Sequence, residues 1–111
     1  MKITIESVDY APDDLYEQVP IVARLTRQVP GEDRPDYWLG ELARPISWTT
    51  PDGKRTVSHI VVAARWVGTS ITPGAKLPVG ISYVTEGQQL REDRFDVKKA
   101  SYVAIGMATV E

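Results

Sequence analysis

The 111-residue sequence predicts an all-β domain, either a small antiparallel barrel or a compact sandwich of about six strands. Short segments in which apolar and polar residues alternate recur along the chain, and turn-forming prolines and glycines separate them. Glycines also lie inside three of these segments, at Gly40, Gly80 and Gly106, which indicates strongly bent strands. Because no internal repeat or linker divides the chain, we expect residues 1–111 to form a single β domain with at most one or two short helical turns.

The first third of the chain predicts two strands. Alternation over residues 2–8 is typical of a half-buried strand. Residues 11–17 place a proline ahead of two carboxylates, as a first helical turn does, but Pro20 limits them to a single helical turn or a loop. Residues 20–28 then supply β-branched side chains for a second strand, which we expect at a sheet edge because Pro20 and Pro30 bracket it.

The middle of the chain predicts a long β-hairpin that forms the central element of the domain. Two apolar, β-prone runs, Tyr37–Thr49 and Arg55–Val67, flank the turn sequence Pro51-Asp52-Gly53. Proline at the second turn position, aspartate at the third and glycine at the left-handed position are typical of a type I turn with a bulge. The sequence therefore predicts a three-residue hairpin loop.

The register of this hairpin determines which side chains share a face. With Thr50 opposite Lys54, Trp38 lies opposite Trp66, and cross-strand partners project from the same side of a sheet. The two tryptophans are thus predicted to be in contact and largely buried, so that truncating either to Ala would cost about 3–5 kcal/mol. The same face, which we expect to be the core, also carries Gly40, Leu42, Ile46, Trp48, Ile60, Val62 and Ala64.

Two residues conflict with a regular hairpin. In the register above Arg44 would lie on the core face, and Pro45 has no N–H to donate to the ladder. The sequence therefore predicts a β-bulge near Arg44–Pro45, which would flip the side-chain alternation toward the turn. The pairings between residues 37–43 and 61–67 depend on this bulge.

The last third of the chain predicts two more strands around a polar segment. Residues 77–85 alternate and predict a strand. Residues 86–94 are polar and are expected to form no more than one helical turn, around Leu90. The final strand begins at Val97 or Ala100, runs to Val110 and is apolar on both faces, which is typical of a strand lining a barrel.

The composition excludes several classes of site. Without cysteine there is no disulfide, thiolate zinc site or thiol nucleophile, and nothing indicates an oxidising compartment. A single histidine excludes His-rich metal sites, and the charged opening residues and short apolar runs match neither a signal peptide nor a membrane span. We therefore expect a cytoplasmic protein with no cofactor, no metal and no membrane partner. Four acidic residues near the first turn lack the spacing of an EF-hand loop: Asp9, Asp13, Asp14 and Glu17.

The charge distribution is asymmetric along the chain. The net charge of −2 argues against general nucleic-acid binding, which depends on neutralising phosphates. Residues 1–41 contain nine acidic and four basic side chains (net −5), whereas residues 42–111 contain nine basic and six acidic ones (net +3). This polarity could steer a charged partner, although an ordinary solvated surface can show the same pattern.

The amphipathic face of the hairpin is the candidate site. It carries Tyr37, Leu39, Glu41, His59 and Arg65, with Glu41 diagonal to Arg65, and we expect it to be at least partly exposed. Exposed Tyr and Arg are typical of protein-interaction hot spots. An acid–base set of Glu41, His59 and Arg65 is the alternative, while Ser58 cannot reach its neighbour His59 without a bulge, because adjacent strand residues point to opposite faces.

The absence of a complete catalytic set favours a non-enzymatic binding module. The expected partner is another protein, in an immunity, inhibitor or adaptor role, or a second copy of the chain, bound by Tyr37, Leu39, Glu41, His59 and Arg65. A small-ligand-binding barrel is the first alternative, although six strands normally enclose only their own side chains. A small hydrolase or isomerase that uses Glu41, His59 and Arg65 is the second.

Overall fold

The fold is a closed antiparallel β-barrel. The structure, a computed structural model, describes residues 1–31, 34–51, 53–84, 90–91, 94–95 and 104–111. Its elements, in chain order, are β1 (Lys2–Asp9), α1 (Asp13–Tyr16), β2 (Ile21–Val29), β3 (Tyr37–Thr50), β4 (Gly53–Ala64), β5 (Lys76–Val84), β6 (Leu90–Arg91), β7 (Arg94–Phe95) and β8 (Ala104–Val110). Six of them form the barrel in the order β1-β2-β3-β4-β5-β8, and β8 pairs antiparallel with both β5 and β1 to close it.

Closure decides between the two predicted architectures and corrects the position of the second strand. The sheet is a barrel and not a sandwich, so β2 is not at an edge: it pairs with β1 on one side and β3 on the other. Pro20 and Pro30 lie immediately outside β2, where neither needs to donate an N–H to the ladder. The two prolines therefore mark where β2 begins and ends, but they do not indicate whether β2 lies at the edge or in the middle of the sheet.

The predicted hairpin is present, but its loop is one residue shorter than expected. Thr50 pairs with Gly53 and not with Lys54, so that Trp48 faces Arg55. Gly53 has φ +116°, a left-handed conformation that favours glycine, at the first position of β4. Asp52, the middle residue of the predicted turn, lies outside the described residues.

The predicted bulge is confirmed. The register of β3 with β4 shifts between Glu41 and Ile46, so residues 42–45 occupy a stretch in which β4 contributes only Ser58. Arg44 and Pro45 are both exposed there, away from the core face on which a regular strand would place Arg44. The bulge thus keeps the Arg44 charge out of the barrel interior. It also places Pro45, which has no N–H, where no ladder hydrogen bond is needed.

The bulge also changes the partners of the tryptophans. Trp38 pairs with Val62, which lies four positions before the predicted partner Trp66. Side chains alternate between the two faces of a strand, so a shift by an even number of residues leaves Trp38 on the core face. β4 ends at Ala64, so Trp66 lies in the following loop and is 62% exposed. The predicted buried pair is therefore wrong: Trp38 packs partly buried against the core, and Trp66 does not.

Apolar side chains fill the barrel interior. Trp48 is among the most deeply buried residues, at 1% exposure, and its ring lies 5.4 Å from that of Tyr83. Leu15 of α1 and Ile71 of the β4–β5 loop join this core from opposite ends, as the connections of an up-and-down barrel alternate between its ends. The strands contribute the following core residues, among others: Ile3, Ile5, Ala23, Leu42, Ile46, Val57, Ile60, Val62, Val79, Ile81 and Ala108.

The C-terminal segment differs from the prediction at Leu90. Leu90–Arg91 pairs with Arg94–Phe95 as a two-stranded ribbon, so no helical turn forms at Leu90. The rest of the polar segment, residues 86–89 and 92–93, lies outside the described residues. The same holds for residues 97–103, the first part of the predicted last strand, of which β8 is the remainder.

Gly106 is required for the close approach of strands where the barrel closes. A Cβ there would meet the backbone oxygen of Ser7 at 2.8 Å and Ile5 Cγ2 at 2.7 Å. We expect Gly106→Ala to lower the free energy of unfolding by about 2 kcal/mol, because overpacking against backbone outweighs the entropy that alanine saves. Gly40→Ala is the control, since its Cβ would come no closer than 3.3 Å to the side chain of Ala23. Denaturant unfolding compares the two, and equal losses would contradict this account.

Candidate functional site

The structure separates the five residues of the predicted site into three groups. Glu41 and His59 are direct cross-strand partners on the outer wall of the barrel. Tyr37 and Leu39 belong to a hydrophobic cluster on that outer wall. Arg65 lies past the end of β4, in the loop that leads to β5.

The outer cluster makes part of the predicted interaction face inaccessible. Its buried members are Val29, Tyr37, Val61 and Ala63, and Leu39 packs against them partly buried. Tyr37 is only 3% exposed. The expectation that this face is exposed is therefore wrong for Tyr37, although it holds for Glu41 and Arg65.

Arg34 covers the outer cluster at Tyr37. Its guanidinium donates to both carboxylate oxygens of Asp36, with Nε–Oδ1 at 2.5 Å and Nη2–Oδ2 at 2.6 Å, and its Nη1 donates to the Ala64 carbonyl at 2.8 Å. The same group lies 5.8 Å from the centre of the Tyr37 ring. Hydrogen bonding from Arg34 lowers the pKa of Asp36 below its ordinary value of 3.8. Sequence reasoning interpreted this segment only as turn chemistry and missed the pair.

Glu41 and His59 meet without Arg65. Glu41 lies between Arg24 on β2 and His59 on β4, and its Oε2 is 3.3 Å from Arg24 Nη2. Arg65 follows His59 by six positions, beyond the end of β4, which corresponds to about 20 Å of extended chain. Arg24 therefore takes the place predicted for Arg65 as the ionic partner of Glu41.

Ser58 and His59, which lie on β4 beside the bulge of β3, form a contact although they are adjacent in the strand. The Ser58 hydroxyl lies 3.1 Å from His59 Nδ1. A nucleophile and a base need a third group to orient the imidazole, yet the only ion pair described for Glu41 is with Arg24. Within the described residues, the set Glu41, His59 and Arg65 is thus not assembled as an acid–base site.

The β4–β5 loop displays an exposed aromatic side chain on a defined turn. The Thr69 N–H donates to the Trp66 carbonyl at 3.1 Å, and Gly68 has φ +95°, which together define a type II turn with Val67 at its second position. Trp66 is 62% exposed and Val67 82% exposed. We call residues 65–69 the Trp66 turn.

The Trp66 turn is anchored on both sides. The Arg65 N–H donates to the Pro78 carbonyl at 2.9 Å, which ties the turn to β5, and Ile71 inserts into the barrel core. The Arg65 guanidinium lies 4.7 Å from the centre of the Trp66 ring, within the range of a cation–π contact. These contacts fix the backbone of the turn, and the indole lies outside the core beside the Arg65 guanidinium.

A groove of about 500 Å³ runs along the outer wall of β1, β2 and β3. Two exposed ion pairs cross it, Lys2 to Glu111 at 3.5 Å and Arg24 to Glu41 at 3.3 Å. Its apolar lining comes from Met1, Val22, Leu42 and Ala43. We call this feature the β1–β3 groove.

Two of the acidic residues near α1 accept hydrogen bonds from other groups of the chain. Asp14 accepts from the Thr49 hydroxyl at 3.1 Å, and Asp9 accepts from the Tyr10 N–H at 3.0 Å. In the part of the chain that the structure describes, no group of three His, Cys, Asp or Glu side chains could hold a metal ion. Nor does that part contain a helix with the length and apolar character needed to cross a membrane.

Fold and site together define a small up-and-down β-barrel with apolar side chains packed in its interior and an exposed aromatic turn at one end. No family model matches the chain, and no curated protein or solved structure is detectably similar to it.

Proposed function

We propose that the protein is a non-enzymatic binding module that engages a protein partner through the Trp66 turn. The observation that carries this proposal is the adjacent exposure of Trp66 and Val67 on an anchored turn. Tryptophan and arginine are the residue types that most often dominate binding energy at protein interfaces. Removing the exposed indole from water would therefore contribute to association, whereas it contributes little to folding.

The anchoring of the turn supports the proposal further. A turn whose backbone is already fixed loses less conformational entropy on binding, so more of the interaction energy appears as affinity. Arg65 stacks on the Trp66 ring and brings a positive charge to the rim of the contact. An immunity, inhibitor or adaptor role fits such a module, and the cytoplasm is its proposed location because a chain without cysteine needs no oxidising compartment.

The two alternatives have less support. A ligand inside the barrel would compete with Trp48 and the other core side chains that occupy the interior. A hydrolase or isomerase would need Arg65 near Glu41 and His59. Arg65 instead lies in the β4–β5 loop, where its N–H donates to the Pro78 carbonyl and its guanidinium stacks on the Trp66 ring. For these reasons we propose the binding module ahead of the two alternatives.

Affinity capture with matched baits tests the proposal. The tagged wild-type chain is expected to retain a recurrent protein from its native host, and Trp66→Ser is expected to reduce the retained amount at least tenfold, as for a hot-spot residue worth about 2 kcal/mol. Tyr10→Ser is the control, because Tyr10 is also exposed, at 79%, but follows β1 at the opposite end of the barrel. Mass spectrometry quantifies the retained protein.

Two outcomes would contradict the proposal. Retention that is equal for the wild-type chain and Trp66→Ser would show that the turn is not the contact. Retention of a small molecule in place of a protein would favour the ligand-binding alternative.

A further inference from the structure

We infer that the partner segment that covers the Trp66 turn presents a carboxylate side chain to Arg65, next to an apolar side chain that packs on Trp66. The inference rests on the proposed function and names the chemistry of its partner. It follows from the charge that lies beside the exposed indole.

Arg65 is a cation without a described acidic partner. Its side chain is exposed, and the contact described for its guanidinium is the Trp66 ring at 4.7 Å. Among the described residues, none supplies a carboxylate within ion-pair distance of this guanidinium. The loop itself cannot supply one, because residues 65–75 contain neither Asp nor Glu.

Three other cations at the same end of the barrel are paired. β1 and β5 begin at this end, and the connection between β2 and β3 lies there too. Each of the three cations lies against a carboxylate: Lys2 against Glu111 and Lys76 against Glu6, both at 3.5 Å, and Arg34 against Asp36. Arg65 differs from these three because it has an aromatic contact in place of an ion pair.

The cation–π contact makes the charge part of any contact with the indole. A partner that covers the Trp66 ring also removes water from the Arg65 guanidinium, which lies 4.7 Å from the ring centre. A charge that loses its water without gaining an opposite charge opposes association, whereas a carboxylate on the partner compensates the loss. A tightly bound partner therefore has an acidic group at this position.

The guanidinium can bind a carboxylate without leaving the indole. Arginine has five N–H donors in a planar fork that matches the two oxygens of a carboxylate. A guanidinium that stacks on an aromatic ring keeps the N–H groups at its edge available for such a pair. Trp66 and Val67, both largely exposed, provide the apolar surface next to it.

A single charge favours a protein over a membrane or a nucleic acid. Anionic membranes and nucleic acids are bound through clusters of basic residues, because each cation contributes little alone. Arg65 is the one charged residue among residues 65–75. One carboxylate on a protein segment matches this count, and an apolar neighbour of that carboxylate matches Trp66 and Val67.

A charge series at position 65 tests the inference, with the capture experiment as its readout. Arg65→Lys keeps the charge, Arg65→Gln removes it and Arg65→Glu reverses it, all at an exposed position. We expect the retained amount of the partner to fall by about threefold or less for Arg65→Lys and by about tenfold or more for Arg65→Glu, with Arg65→Gln between them. Far-UV circular dichroism and the unfolding midpoint establish that each variant is folded.

Zero-length cross-linking locates the carboxylate. In the Arg65→Lys chain, a water-soluble carbodiimide should join the new amine to an Asp or Glu of the retained protein, and mass spectrometry maps the amide. Thr72→Lys is the matched control, because it places an amine at another exposed position of the same loop, outside the Trp66 turn, and should give no cross-link to that acidic residue. Replacing the mapped acidic residue of the partner by Arg should restore retention by the Arg65→Glu chain.

The outcomes separate this inference from the proposed function. Retention that needs Trp66 but is equal for the wild-type chain and Arg65→Glu overturns the inference and leaves the proposed function in place. Equal losses for Arg65→Gln and Arg65→Glu also overturn the inference, because Arg65 would then act only by holding the indole. If no protein is retained, both fail, and Trp66-dependent sedimentation with vesicles of equal parts phosphatidylserine and phosphatidylcholine would then identify a membrane as the anionic surface.

Discussion

Replacing Trp48 by Ala is expected to lower the free energy of unfolding by about 3–5 kcal/mol, the range for large aromatic deletions in cores. Trp48 is 1% exposed, and its ring packs against Tyr83 at 5.4 Å inside the barrel. Removing the indole would leave a cavity that strands paired on both sides cannot easily collapse. Chemical denaturation monitored by circular dichroism measures the effect.

Trp66→Ala is the matched control for Trp48→Ala. The same substitution at a largely exposed position of the loop should change stability by no more than about 0.5 kcal/mol. The sequence alone predicted a large loss at Trp66. A loss at Trp66 comparable with that at Trp48 would place the Trp66 indole in the core and contradict the assignment of the turn.

Arg34→Met is expected to lower the free energy of unfolding by about 2 kcal/mol, because the Ala64 carbonyl and the partly exposed Asp36 carboxylate lose their shared donor. The Arg34 side chain is 10% exposed and serves Asp36, the Ala64 carbonyl and the Tyr37 ring. Arg24→Met removes the exposed pair with Glu41 and should cost about 0–1 kcal/mol. Equal effects of the two substitutions would show that Arg34 does not stabilise the outer cluster.

The stabilisation by Arg34 should depend on pH in a defined direction. The hydrogen bond from Arg34 lowers the pKa of Asp36 below 3.8 in the folded chain. A carboxyl with a depressed folded pKa contributes stability above its unfolded pKa and loses it as the pH falls through the folded value. The stability difference between the wild-type chain and Arg34→Met should therefore be full at neutral pH and shrink below about pH 3.8. A difference that stays constant down to acid pH would contradict this role of Asp36.

Local patterns predicted the strands but not how the barrel closes. Alternation and turn residues identified β1 to β5 closely, and Arg44 with Pro45 identified the bulge. Closure depends on the pairing of β1 with β8, which lie at opposite ends of the sequence, and no local signal distinguishes that pairing from a sandwich. The hairpin turn residues fit loops of two or three residues, and a difference of one residue changes every pairing near the turn.

The sequence predicted the exposed Glu41 and Arg65 of the candidate site, but not the buried Tyr37 or the exposed Trp66. The alternation predicts a strand through Val67, whereas Gly68 at the third position of residues 66–69 is a type II turn signal that places Trp66 outside the strand. The run Ile60–Ala64 is apolar without interruption, which is typical of a strand buried on both faces and explains why Tyr37 is covered. The Arg34–Asp36 pair spans only two residues, but the hydrogen bond of Arg34 to the Ala64 carbonyl, 30 residues away, has no local signal.

The most direct test of the docking function follows the indole N–H resonances by ¹⁵N-edited NMR while the protein retained in the capture experiment is titrated in. The three tryptophans give three such signals, which single substitutions assign. The Trp66 signal is expected to shift or broaden in proportion to the bound fraction, while the Trp48 signal stays in place because that ring lies inside the barrel. A Trp66 signal that does not change on saturation with the partner would contradict docking through this turn.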